Sequence, residues 1–189
     1  MEPEQPKPSY LREAAIAGLI FAAILFLIEV VTGMMVIYSE PAAGLFVLTL
    51  LSGAIGCLLA AFAGMFSTRM YVREHELAMS LGEGAKIGLV TGLIVAAGST
   101  VFDLLWMAIN PGFQENLMEA SIEHIEAITQ IPEEQKQEMI DAMYADTQHA
   151  GSFTSIMTSL FGNVIVLGLL NTLSGTLGAK FFATQPEVD

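Results

Sequence analysis

Four stretches of this sequence are apolar over a length that can cross a lipid bilayer. They cover residues 11–37, 41–66, 84–109 and 152–182. A transmembrane helix needs about 20 mostly apolar residues, and a spanning segment must satisfy its own backbone hydrogen bonds in lipid. With 53% hydrophobic and 14% charged residues in 189, little of the chain is left for soluble structure. The sequence therefore predicts an all-α polytopic membrane protein with four transmembrane helices.

The basic residues predict how these helices are oriented. All of the lysines and arginines except Lys136 fall in or beside the N-terminal tail, the 67–83 connection and the C-terminal end. Positive charge is retained on the cytoplasmic side of a membrane. Both termini are therefore predicted to be cytoplasmic. The predicted order is a tail (1–10), a first transmembrane hairpin (11–66), the connection (67–83), a second hairpin (84–182) and a tail (183–189).

The segment 110–151, inside the second hairpin, is predicted to be an acidic extracytoplasmic insertion. It contains nine acidic residues and a single lysine, Lys136. Apolar residues recur at helical spacing on both sides of Pro132, for example at Ile122 and Ile125 and at Met139 and Met143. This pattern predicts two short amphipathic helices. The pair either folds over the transmembrane bundle or serves as a docking surface for an extracytoplasmic partner.

An internal repeat relates the two transmembrane hairpins. The string Gly18-Leu19-Ile20 recurs as Gly92-Leu93-Ile94 at an offset of 74 residues. Arg12 and Glu29 are 17 residues apart, and Lys86 and Asp103 repeat that spacing. A hairpin duplicated in parallel, with an insertion in its second copy, explains both matches. Its pseudo-twofold axis would lie along the membrane normal.

Glu29 and Asp103 form the candidate intramembrane ionisable site. Seventeen residues at 1.5 Å rise place each carboxylate about 25 Å beyond its basic flank, in the outer third of a core about 30 Å thick. Stripes of small residues on their helices predict that both acids face a helix–helix seam. Asn163 and Asn171 of the fourth span are possible hydrogen-bond partners. The acids are structural hydrogen-bonding groups, a proton or cation site, or contacts for lipid or a partner.

Motifs for catalysis, metals and nucleic acid are absent from the sequence. It contains no H-E-x-x-H, G-x-S-x-G, Walker or dinucleotide-binding motif. The single cysteine, Cys57, excludes paired-cysteine sites, and no basic patch suits nucleic acid. We therefore expect a chain that is not an enzyme and has no cofactor and no metal.

Several strings resemble a bacterial membrane family catalogued as domain of unknown function 4199. The resemblance covers nearly the whole chain and is strongest over residues 70–182. It implies a four-span protein of the bacterial inner membrane, without assigned site residues. Glu29 and the proline-rich N-terminal segment depart from the family pattern. The matching strings are Glu83-Gly84-Ala85-Lys86-Ile87-Gly88-Leu89, Ile109-Asn110-Pro111-Gly112-Phe113 and Pro132-Glu133-Glu134-Gln135, followed by the fourth span.

Two functions from different classes follow from these features. The leading hypothesis is a non-enzymatic scaffold or accessory protein that engages a membrane or periplasmic partner through its acidic insertion. The alternative is a small proton- or cation-coupled transporter that uses Glu29 and Asp103. Four spans enclose little volume, so the alternative favours a homodimer. An intramembrane enzyme is the third hypothesis.

Overall fold

The computed structural model describes residues 8–75, 78–149 and 152–183. This part of the chain is all-helical and contains no strand. Four of its helices are long and apolar enough to cross a membrane, as the sequence predicted. In chain order, the helices are α1 (Leu11–Tyr38), α2 (Ala43–His75), α3 (Leu81–Ile109), α4 (Phe113–Glu126), α5 (Glu133–His149) and α6 (Phe153–Phe182).

The helices match the predicted segments closely except at the end of α2. That helix continues to His75, through residues that the prediction placed in the 67–83 connection. Ser67 and Thr68 lie in this continuation, where their hydroxyls donate back to the Gly64 carbonyl at 3.0 and 2.8 Å, and both residues are fully buried. The cytoplasmic placement of this connection and of both tails stays a prediction. Lys7, on which that placement partly depends, lies outside the described residues.

The chain divides into two compact units. The first unit contains Met1–Ala22, Leu59–Gly98 and Asn163–Asp189. In it, α3 and α6 approach so closely that a Cβ added at Gly84 or Gly88 would overlap the backbone of α6 near Gly175 and Asn171. Lipid tails are as apolar as leucine, so membrane helices associate through close packing of small residues. The predicted small-residue stripe of α3 is therefore confirmed as a packing surface, and its partner is α6.

A polar network lies beside this contact in the first unit. The Asn171 side chain accepts a hydrogen bond from Gly64 N at 2.6 Å and donates to Leu167 O at 2.9 Å. Thr91 donates to Ser67 Oγ at 2.8 Å. Asn171, Thr91 and Ser67 are fully buried. Because buried polar groups are costly unless they are paired, these hydrogen bonds fix α2, α3 and α6 in one arrangement.

The second unit contains Ala23–Leu58 and Ser99–Gly162. It holds the later part of α1, the end of α3 and the contacting helices α4 and α5. Gly33 of α1 leaves room for the Phe113 ring at the start of α4, and Phe113 is almost fully buried. Ile125 and Ile140 are buried as well, as the amphipathic pattern predicted. We call residues 113–149 the α4–α5 pair. The parallel duplication of two hairpins stays a prediction.

Candidate functional site

The structure brings the two predicted intramembrane acids together within the second unit. Glu29 of α1 and Asp103 of α3 are close enough for the charge on one to act on the other. Asp103 is half-buried, but Glu29 is exposed on the surface of the chain. The prediction that both acids point into a helix seam is therefore wrong for Glu29.

Aromatic side chains occupy the contact in which Glu29 was expected. Phe26 of α1 stacks on Phe102 of α3, with ring centroids 5.5 Å apart. Phe26 also packs edge to face with Trp106, with ring centroids 6.0 Å apart. Trp106 in turn packs edge to face with Phe113, with ring centroids 5.6 Å apart. At 100° per residue, Glu29 lies about 60° around α1 from Phe26. The aromatic rings therefore form the contact between α1 and α3, and the Glu29 carboxylate lies to one side of that contact.

Two buried hydrogen-bond donors lie near Asp103 on the same helix. Ser99 Oγ and Trp106 Nε1 are buried, and neither has a hydrogen-bond partner among the described residues. They lie four residues before and three residues after Asp103, which places all three side chains on one face of α3. A serine hydroxyl and an indole N–H donate, whereas a carboxylate accepts. Neither donor bonds to Asp103 in the described chain, so this face of α3 carries two buried, unpaired donors and a carboxylate.

Asn163 and Asn171, the predicted hydrogen-bond partners of the two acids, lie elsewhere in the structure. Asn171 bonds to the backbone of α2 and α6, as described above, and belongs to the first unit. Asn163 is exposed and also belongs to the first unit. Neither has a hydrogen bond to Glu29 or Asp103 in the described chain. The role proposed for Asn171 from the sequence is replaced by a bond that ties α6 to α2.

The α4–α5 pair carries the highest density of charge in the described chain. Glu115, Glu119 and Glu123 follow each other at four-residue spacing along α4, and Glu134, Glu138 and Asp141 form a similar stripe on α5. All six residues are exposed. Like charges four residues apart destabilise an isolated helix by about 0.2–0.5 kcal/mol per pair. The acidic stripes of α4 and α5 therefore do not stabilise their own helices.

Lys136 does not neutralise this surface. Its ammonium group donates to Glu133 Oε1 at 2.8 Å and to the Glu126 carbonyl at 3.1 Å, and the residue is only 7% exposed. Glu126 is the last residue of α4, so Lys136 satisfies a carbonyl that has no partner within its own helix. The single lysine of the segment thus serves the link between α4 and α5, and the exposed surface is left acidic.

His124 fixes α4 to the link between α1 and α2. Its Nδ1 accepts a hydrogen bond from Ala42 N at 2.9 Å. The other ring nitrogen, Nε2, therefore carries a proton and donates to Val36 O at 3.1 Å. The residue is only 3% exposed. Sequence analysis missed this role because the two partners lie 88 and 82 residues away along the chain, and no local pattern marks them.

The described residues contain no group of three or more His, Cys, Asp or Glu side chains that could hold a metal ion. The sites that the structure builds are thus a carboxylate pair beside an aromatic cluster and a fixed acidic surface.

Comparison with known proteins identifies the family. A family model described as "Protein of unknown function (DUF4199)" matches residues 13–177. The chain belongs to this family. The match confirms the resemblance found in the sequence and includes all four apolar helices of this DUF4199 protein for most of their length. No curated protein and no solved structure matches the chain.

Proposed function

We propose that this DUF4199 protein is a non-enzymatic membrane scaffold or accessory protein that engages a basic partner through the α4–α5 pair. One observation carries the proposal. Among the described residues, no salt bridge pairs the six exposed acids of the α4 and α5 stripes, and the only lysine of the segment is buried and already bonded. A surface of one charge sign attracts a partner of the opposite sign and steers its approach.

The attachment of the pair favours binding over a merely solvated surface. His124 holds α4 against the backbone of the α1–α2 link, and Phe113 fills the space beside Gly33. The acidic stripes are therefore presented in a fixed arrangement. A preorganised surface loses less conformational entropy when a partner binds.

Charge-neutralised variants test the proposal. Glu115, Glu119, Glu134 and Glu138 are exchanged together for glutamine, and the matched control exchanges the exposed neutral residues Gln114 and Gln130 for alanine. Each form is captured from solubilised membranes, and the proteins bound to it are identified. We expect a partner that the wild type and the control retain, that the neutralised form loses, and that dissociates as salt rises.

Identical partner sets from all three forms would contradict the proposal. Deletion of residues 112–149 gives a second comparison, since the partner should be lost from that form as well. Helical content and elution volume of the neutralised form should equal those of the control, because every exchanged side chain is exposed.

The proximity of Glu29 and Asp103 favours a second candidate function. Two interacting carboxylates in a predicted membrane segment suit a site that binds and releases a proton or a cation. In reconstituted vesicles, such a conduit would give proton-coupled flux, which Glu29→Gln and Asp103→Asn would each abolish. Flux that neither substitution changes would eliminate this candidate.

A further inference from the structure

One exposed face of α2, within the first unit, carries two aromatic rings followed by two arginines. Phe62, Phe66, Arg69 and Arg73 are separated by four, three and four residues, and all four are exposed. These spacings place the four side chains on one side of a helix. We call them the α2 stripe. Its rings lie toward the apolar part of the helix, and its arginines lie toward the end of the helix at His75.

The arginines of the α2 stripe lie at the depth of lipid headgroups. The predicted second span ends at residue 66. At 1.5 Å rise, Arg69 and Arg73 follow that point by about 4.5 and 10.5 Å. The headgroup layer is about 5–8 Å thick on each side of the hydrocarbon core. Arg69 therefore lies in this layer, and the long side chain of Arg73 can reach back to it.

A contact with α6 holds Arg69 in place. Its guanidinium carbon lies over the Phe182 ring, 5.4 Å from the ring centroid. The two helices are close here, because a Cβ added at Gly178 of α6 would meet Thr68 of α2. A cation over an aromatic ring uses no hydrogen-bond acceptor, so this contact orients the guanidinium and leaves its N–H donors for an anion.

Neither arginine is neutralised by an acid of the described chain. No salt bridge among these residues includes Arg69 or Arg73, and the neighbouring Glu74 is bonded to Arg12 at 2.6 Å. Guanidinium groups bind phosphate oxygens through pairs of parallel N–H···O bonds. Exposed rings on the apolar side of such a pair suit acyl chains. We propose that the α2 stripe binds an anionic phospholipid, with its phosphate on the arginines and an acyl chain along the phenylalanine rings.

The charge of the α2 stripe selects among lipids. Phosphatidylglycerol carries the charge of its phosphate alone. In phosphatidylethanolamine an ammonium group offsets that charge and would be repelled by the arginines. By the predicted topology this end of α2 is cytoplasmic, the side on which the lipid surface is negatively charged. A soluble phosphate ester would use only the arginines and would leave both rings uncovered.

The experiment compares these two lipids, with identical acyl chains, on the delipidated full-length protein by native mass spectrometry. We expect phosphatidylglycerol to bind more tightly. Arg69→Gln and Arg73→Gln should each weaken its binding about fivefold, the usual effect of one basic residue at an anionic surface. Lys180→Gln is the matched control, because Lys180 is exposed in the last turn of α6 and lies about 160° around that helix from Phe182.

Glycerophosphoglycerol, the same headgroup without acyl chains, tests the role of the rings. It should fail to displace phosphatidylglycerol, and displacement would overturn the lipid as the occupant. Helical content and elution volume of the variants should equal those of the wild type, because every exchanged side chain is exposed. Equal binding of the two lipids by the wild type, or equal effects of Arg69→Gln and Lys180→Gln, would also overturn the proposal.

Discussion

Two buried side chains, His124 and Lys136, satisfy backbone groups where helices end. His124 pairs a carbonyl near the end of α1 with an N–H just before α2, and Lys136 pairs the last carbonyl of α4. From the sequence alone, a histidine is first considered as a catalytic or metal-binding residue, and a lysine as a surface charge. Their structural roles depend on partners far along the chain, or on a helix end whose position has to be known first.

Substitution of His124 by alanine tests the first of these contacts. The change leaves Ala42 N and Val36 O without their partner, and a buried unpaired polar group costs about 1–3 kcal/mol. We expect a lower free energy of unfolding and faster hydrogen exchange in the α1–α2 link and in α4. The neighbouring exposed residue supplies the control, since Glu123→Ala should change neither quantity appreciably. Equal protection of the link in both variants would show that His124 does not hold it.

At the scale of the helices, the sequence identified small-residue stripes but not every partner that they meet. The stripe of α3 packs on α6 through Gly88 and Gly92. The stripe of α1 meets α3 where Gly18 contacts Ile94. Periodicity marks which face of a helix can be approached closely, but it does not say how the line of contact moves around the helix. For that reason the exposure of Glu29, beside the Phe26 contact, could not be predicted.

Substitutions of two glycines on α3 test whether this helix packs closely against α6. Gly88→Ala would place a methyl group against the backbone of α6, and overpacking a tight contact costs about 1–3 kcal/mol. We expect a clearly lower unfolding temperature in detergent. Gly82, on the same helix, has open space around it. Gly82→Ala should leave the temperature unchanged or raise it, because alanine favours helix by up to about 1 kcal/mol. Equal behaviour of the two variants would contradict the close α3–α6 contact.

At the scale of the whole molecule, the number and position of the four long apolar helices followed from hydropathy alone. Apolar length decides whether a segment can span lipid, and this physical limit does not depend on the partners of the segment. The polar contacts were less predictable, because the sequence offers several candidate partners for each group. Asn171 illustrates this limit, since it was expected near the acids but bonds instead to the backbone of α2.

The predicted topology places the α4–α5 pair and the basic ends of the helices on opposite sides of the membrane, and the proposed function depends on it. Cysteine labelling tests it most directly, because Cys57 is the only cysteine and can be exchanged for serine. Gln130→Cys and Ala78→Cys, both at exposed positions, are then treated in spheroplasts with a membrane-impermeant maleimide. We predict that Gln130→Cys is labelled in intact spheroplasts and Ala78→Cys only after permeabilisation. Labelling of both variants in intact spheroplasts, or the reverse pattern, would contradict the account.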